Sequence, residues 1–247
     1  MSIFSIKSIY ITLYICFAFI STTIPLSAQN IFVGAGAGGG TYKMNSPKEF
    51  NQTIVDFLPF KPVLTDNFPP YFFYKAEVLY SFSNILTLGI NLSKASTGAR
   101  LSLADYSGKY TFDNVQKGIF PGIKIFLGKA IGESNELKFS LAGGASFSTM
   151  KINEEIIVFD ESTTDKQDFN AQGLFVQPGI CYFINIDSNI KIGVEISYYY
   201  GFEKGYHAPN EKKQKLYNTD TGKSIKPQWD GIRLGITGYW GFITSSK

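Results

Sequence analysis

A strict two-residue alternation limits what this chain can fold into more than any other feature. In its last apolar stretch Ile232, Leu234, Ile236, Trp240 and Phe242 interleave with Arg233, Gly235, Thr237, Tyr239 and Gly241. Successive strand side chains point to opposite faces, so one face is compatible with lipid while the other carries glycine, hydroxyl and charge. Residues 190–201 repeat the pattern, with Ile190, Ile192, Val194, Ile196, Tyr198 and Tyr200 opposing Lys191, Gly193, Glu195, Ser197, Tyr199 and Gly201. Each stretch supplies roughly ten residues, the length a tilted membrane strand needs.

The same reading yields eight candidate strands. The first spans about residues 31–42 and carries a bare stripe of Gly34, Gly36, Gly38 and Gly40. The second, at 71–82, sets Tyr74, Ala76, Val78 and Tyr80 against Lys75, Glu77, Leu79 and Ser81. The third alternates Leu86, Leu88, Ile90 and Leu92 with Thr87, Gly89, Asn91 and Ser93, and is expected to run on past Lys94 to near Asp105. The fourth ends near Gly128, the fifth runs from Leu137 to about Met150, and the sixth sets Leu174, Val176, Ile180 and Tyr182 against Phe175, Gln177, Gly179 and Cys181. Pro121 and Pro178 fall inside strands, where each removes a ladder donor, and are expected at bulges or near the membrane edges.

Connections alternate in length. Those at Ser83, Gly132 and Asp187 are short. Those beginning near Met44, Ile152 and Glu203 are expected to be long loops, with one of intermediate length near Tyr106. A soluble β-sandwich, the competing arrangement, has no reason to sort its loops this way. Outer-membrane barrels do, with short periplasmic turns and long external loops, and an even strand count then leaves both termini periplasmic. Aromatics at 16% and 24 glycines suit girdles and a glycine-lined lumen.

Residues 1–28 carry one charge, Lys7, then an apolar stretch from Ile9 to Ile20, then Pro25, Leu26, Ser27 and Ala28. This reads as a cleavable signal peptide, the stretch being shorter than the roughly 20 residues of a spanning helix. The barrel domain is then 29–247. Cys181 becomes the only cysteine of the mature chain, so no internal disulfide can form in the oxidising compartment. A net charge of +3 with no basic, aromatic-interleaved patch excludes a nucleic-acid partner.

With its signal peptide, strand count, girdle aromatics and terminal Tyr239, Trp240, Gly241, Phe242, the mature chain resembles the small outer-membrane β-barrel proteins of Gram-negative bacteria, the group typified by outer-membrane protein A. It departs from the usual ending in that Ile243 to Lys247 follow the last aromatic. The resemblance implies an eight-stranded antiparallel transmembrane β-barrel in the outer membrane, monomeric, in contact with lipid, lipopolysaccharide and the barrel-assembly machinery, with a protein partner at its external loops.

The inward phase places Lys75, Glu77, Lys124, Lys138, Lys191, Glu195 and Arg233 in the lumen. An eight-stranded barrel is just wide enough to be filled by side chains, so these groups are expected to pair across strands, Glu195 with Arg233 first among them. The expected role is non-enzymatic, structural or surface-interacting through the loops. One alternative is a narrow pore or carrier, for which the glycine stripe leaves room. Another is suggested by the resemblance: some small barrels modify lipid A with a histidine near the outer leaflet. His207, the single histidine, would serve with Ser197 or Glu203, although no motif of those enzymes surrounds it. No cofactor is expected, and metal binding lacks a second histidine or calcium-loop spacing. The third loop is acidic (Glu154, Glu155, Asp160, Glu161, Asp165, Asp168) and the fourth basic (Lys204, Lys212, Lys213, Lys215, Lys223, Lys226); the two are expected to be solvated loops with some mutual screening, the alternatives being that they attract each other or that the basic one meets lipopolysaccharide phosphates. The first loop, with Phe50, Phe57, Phe60 and Phe68 among its prolines, is oily enough to fold over the barrel mouth or to contact lipid or a partner.

Overall fold

A computed structural model describes residues 29–244 except 107, 133, 160, 188 and 210. The expected signal peptide lies outside the described residues. Eight antiparallel strands close into a ring: β1 (Gln29–Gly40), β3 (Tyr71–Ser81), β4 (Leu86–Ala104), β5 (Gly108–Ala130), β6 (Asn135–Val158), β7 (Glu161–Asn185), β8 (Ile190–Glu203) and β11 (Gly231–Thr244). The seam joins first strand to last, from Gln29 opposite Thr244 to Gly40 opposite Arg233. Closure matters because lipid offers no partner for a free strand edge.

Alternation sorts the side chains as the sequence requires. Ile90, Leu92, Ile123, Phe139, Leu174, Ile196, Ile236 and Leu234 are exposed on the outer wall. An apolar band of this extent is stable only against hydrocarbon. Aromatics mark its rims: Tyr80 and Phe82 lie 4.4 Å apart at the short-turn end, Tyr198 and Tyr200 4.4 Å apart at the other. Exposed Lys94, Lys117 and Lys204 end the band at the second rim.

The strands are unequal. β1, β3, β8 and β11 have 11 to 14 residues, enough to cross the band, whereas β4 to β7 have 19 to 25. Four strands therefore rise past the rim by about ten residues, or about 33 Å of strand, as a curved sheet. This corrects the expected long acidic loop after Ile152: β6 and β7 stay in register to Val158 opposite Glu161, and the chain reverses through Phe159, whose φ is 54°. The raised sheet has two edges. Along β4, the short strand β2 (Val63–Asn67) pairs beside residues 99–102. On β7, His207 of β9 (His207–Ala208) pairs opposite Asn170, and β10 (Glu211–Lys215) pairs with β9.

The first long connection does fold over the mouth, and it contains the single helix among the described residues, α1 (Asn45–Phe57). Pro47 sits in its first turn, where a missing N–H is harmless, and Phe50, Ile54 and Leu58 at four-residue spacing give it one apolar face. That face packs against Leu101, Tyr110 and Ile152 on the concave side of the raised sheet.

Neither proline occupies a bulge or an edge. Pro121 pairs with Leu92 and Pro178 with Leu141, both within the lipid-facing band. The register is unchanged across each, and the ladder merely lapses at Phe120–Pro121 on the β6 side and at Gln177–Pro178 on the β8 side.

The glycine stripe of β1 is occupied space. A Cβ at Gly34 would strike the Tyr239 ring, and one at Gly38 would lie 2.6 Å from Phe73 Cζ. Gly34→Val should therefore destabilise the barrel by overpacking, by about 1–3 kcal/mol, read as a lower midpoint for loss of the heat-modifiable gel species.

Candidate functional site

The lumen is filled in layers. At its centre, β3, β5 and β8 bring Lys75, Glu77, Lys124 and Glu195 together. Lys75 Nζ and Lys124 Nζ each donate to Glu195 Oε2 at 2.7 Å, and Lys124 Nζ also donates to Glu77 Oε1 at 2.9 Å. Ser140 Oγ donates to Glu195 Oε1 at 2.8 Å, and the Tyr239 hydroxyl donates to Glu77 Oε2. Two ammonium groups and two carboxylates thus cancel in charge, and every carboxylate oxygen has a donor, the condition under which buried ions are tolerated.

Below lies a layer of Phe32, Leu79, Phe126, Cys181, Phe183 and Tyr239, all buried. Under it, at the short-turn mouth, Lys138 bonds Glu136 at 2.6 Å and donates to Thr87 Oγ1 at 3.3 Å. Lys191 Nζ stands 3.6 Å from the centroid of the Phe32 ring. Both lysines line an open vestibule of about 540 Å³.

Above the ionic layer Arg233 enters an aromatic cluster. Its guanidinium carbon is 4.1 Å from the Tyr199 ring centroid and 4.9 Å from that of Phe120. Phe175 stacks on Tyr199 at 5.1 Å, Phe120 and Tyr42 meet Trp229 edge-on at 5.6 and 5.1 Å, and Trp229 Nε1 donates to Ser148 Oγ at 2.8 Å. The expected Glu195–Arg233 pair does not form. Arg233 stands opposite Ser197 and Gly235 opposite Glu195, and Glu195 is already taken by lysines from β3 and β5.

The cap closes the top. Asn114 Nδ2 donates to Asn51 Oδ1 of α1 at 3.0 Å, Asn218 Nδ2 donates to Thr53 Oγ1 at 3.0 Å, and the Tyr206 hydroxyl donates to Gln116 Oε1 at 2.9 Å. Tyr206 and Ile225 of the last connection are fully buried beside it. Burial pushes the phenols of Tyr206 and Tyr110 well above the usual tyrosine range, and the neighbouring Glu154 carboxylate adds to the effect at Tyr110. Sequence reading expected the first loop over the mouth but missed its helix, although the Asn45, Ser46, Pro47 start and the Phe50, Ile54, Leu58 spacing signal it.

The remaining site candidates are dispersed. His207 Nδ1 lies 2.9 Å from the carbonyl oxygen of its neighbour Ala208. Ser197 accepts from Gln177 Nε2 at 2.8 Å inside the barrel, and Glu203 accepts from Ser146 at 3.3 Å and Tyr199 at 3.4 Å. No hydrogen bond among the described residues unites the three. Among the described residues, no cluster of three His, Cys, Asp or Glu side chains has the arrangement to hold a metal. The acidic stretch meets cations of its own sheet: Lys151 pairs with Asp168 at 3.5 Å, and Lys109 with Glu155 at 3.4 Å.

The barrel is similar to a major outer membrane protein of Thermus thermophilus, with TM-score 0.51 at 13% identity over 87% of this chain and 100% of that one. OprG of Pseudomonas aeruginosa is similar at TM-score 0.40 and 14% identity, covering 87% of this chain and 96% of that one. Ail of Yersinia pestis is similar at TM-score 0.38 and 14% identity, over 88% and 100% of the two chains. The first of these likenesses shows the fold alone: an outer-membrane-type β-barrel. No family model and no curated protein matches the chain.

Because Glu195 serves two lysines at once, Glu195→Gln should leave an uncompensated ammonium in the lumen and cost about 3–5 kcal/mol. Ser140→Ala, which removes one neutral donor, should cost about 1 kcal/mol. The two heat-modifiability midpoints, compared with the unsubstituted barrel, check that order.

Proposed function

We propose that the protein is a sealed, non-enzymatic outer-membrane anchor that holds a rigid external β-sheet for surface interaction. The observation that carries this reading is the pairing of a filled lumen with strands that outrun the membrane. Side chains from the vestibule to α1 block passage, while β4 to β7 spend about ten residues each on a structure that crossing the bilayer does not require. In this reading the short turns and both termini face the periplasm, the raised sheet faces outward, the barrel works as a monomer in contact with lipid and lipopolysaccharide, and the assembly machinery inserts it. The expected partner is a protein or surface meeting the raised sheet. Conductance through a planar bilayer tests the seal: a refolded, heat-modifiable barrel should give no unitary current steps, and stable steps would replace this reading with a pore.

The sheet tip supports an interaction role. Phe159 is 81% exposed and held in a left-handed conformation, with Ile156 and Val158 also exposed beside it. A bulky residue in that conformation costs about 1–2 kcal/mol, and an exposed ring recovers none of it by packing. Phe159→Gly is expected to raise the thermal midpoint while weakening adhesion of cells that display the barrel. Against catalysis, His207→Ala should leave lipid A mass spectra unchanged.

A further inference from the structure

The outer wall carries a groove at the long-loop end of β1. Gly39 faces outward there, between Leu234 of β11 and Phe72 of β3, and its missing side chain leaves a gap between two large ones. The gap belongs to a groove of about 390 Å³, floored by Gly39, Gly40 and Thr41 and walled by Tyr71 and Phe72 on one side and Ile232 and Leu234 on the other. The Tyr71 and Phe72 rings meet edge to face at 6.3 Å, so the aromatic wall holds its own shape.

The groove spans two levels of the membrane. Ile232 lies opposite Tyr198 of the aromatic rim, where headgroups begin. The next outward residue of β1 below Gly39 is Ala37, between Tyr74 and Ile236, so the groove opens downward into the lipid-facing band. Water finds no free polar partner on its floor, because the Thr41 hydroxyl accepts from the Ile232 amide at 3.1 Å and donates to the Ile232 carbonyl at 3.5 Å. Just above, the Lys43 amide donates to the Asp230 carbonyl at 3.0 Å, which sets two opposite charges side by side and leaves no net charge to select a headgroup. A hydrocarbon chain lying on the convex wall touches protein on one side. In the groove it touches on three, and dispersion attraction grows with the number of touching atoms. The walls stand on strands about 10 Å apart, a width that admits one such chain and not the wall of a second barrel.

We propose that this groove is a specific site for one acyl chain of a membrane lipid, selected by its hydrocarbon and not by its headgroup. With the raised sheet facing outward, as proposed above, the outer leaflet supplies that lipid. The site itself rests on neither that orientation nor the seal, so a barrel that proved to conduct would keep it.

Native mass spectrometry of the refolded barrel, released from detergent micelles doped with equal amounts of phosphatidylglycerol and phosphatidylethanolamine of matched chains, tests this. One lipid of either headgroup should stay bound at collision energies that strip the remaining detergent. A Cβ at Gly39 or at Gly238 meets nothing within 4 Å, so leucine at either should leave the barrel heat-modifiable. Gly39→Leu fills the groove and should remove the lipid-bound species. Gly238→Leu, outward-facing but outside the groove, should retain it. Should Gly39→Leu not fold, Leu234→Ala, which lowers one wall, should weaken retention in its place. No retained lipid on the unsubstituted barrel, equal retention in the two leucine variants, or a dimer in place of the lipid-bound monomer would each overturn the proposal. Retention of phosphatidylglycerol alone would assign the lipid to charge and overturn it too.

Discussion

Every other feature rests on the hydrogen-bonded seam between β1 and β11. In hydrocarbon an open edge leaves a row of amides and carbonyls with no partner, each costing several kcal/mol, so a sheet of this composition must close on itself. Twelve consecutive residue pairs make that closure. It needs glycine on the inner face of β1, because the β11 residue Tyr239 and the β3 residue Phe73 reach across that strand into the lumen. The residues that look like an open path in the sequence are the ones that let the interior pack.

Closure fixes the lumen's width, and width decides its chemistry. Eight strands leave a space that side chains from opposite walls can bridge. Lys75, Lys124 and Glu195 come from three strands that are not all neighbours, and they meet because the ring folds them inward. With Glu77 they make a neutral cluster bracketed by aromatic layers, which keep water away and so raise the cost of any unpaired charge. The cap above extends the same principle: α1 supplies an apolar face to the raised sheet and amide side chains to its buried polar groups.

The membrane-crossing parts were legible because period-two alternation directly reports two different surroundings. Strand limits such as Tyr71–Ser81 and Ile190–Glu203 fall within a residue or two of what the pattern indicates. Beyond the rim that contrast fades. Residues 161–168 are exposed throughout, so Thr163, Asp165 and Gln167 carry no apolar beat and read as loop although they are strand. Across the lumen the difficulty is of another kind. Alternation tells which face Glu195 and Arg233 share, but the partner across the barrel depends on stagger and on competition. Lys75 and Lys124 reach Glu195 with flexible stems, while the flat guanidinium of Arg233 is drawn between the rings of Phe120 and Tyr199.

The raised sheet also bears on how the chain enters the bilayer. Glu154, Glu155, Asp165 and Asp168 cap the longest hairpin, and Glu154 stands directly opposite Asp165. An ionised carboxylate at the bilayer centre costs about 2.5–3.5 kcal/mol, so carrying this tip across one charge at a time is a steep climb. Crossing with cross-strand neighbours already paired, as Lys151 is with Asp168, lowers that climb. With the raised sheet facing outward, as proposed above, pairing of this kind favours carrying the β6–β7 hairpin across as a preformed unit.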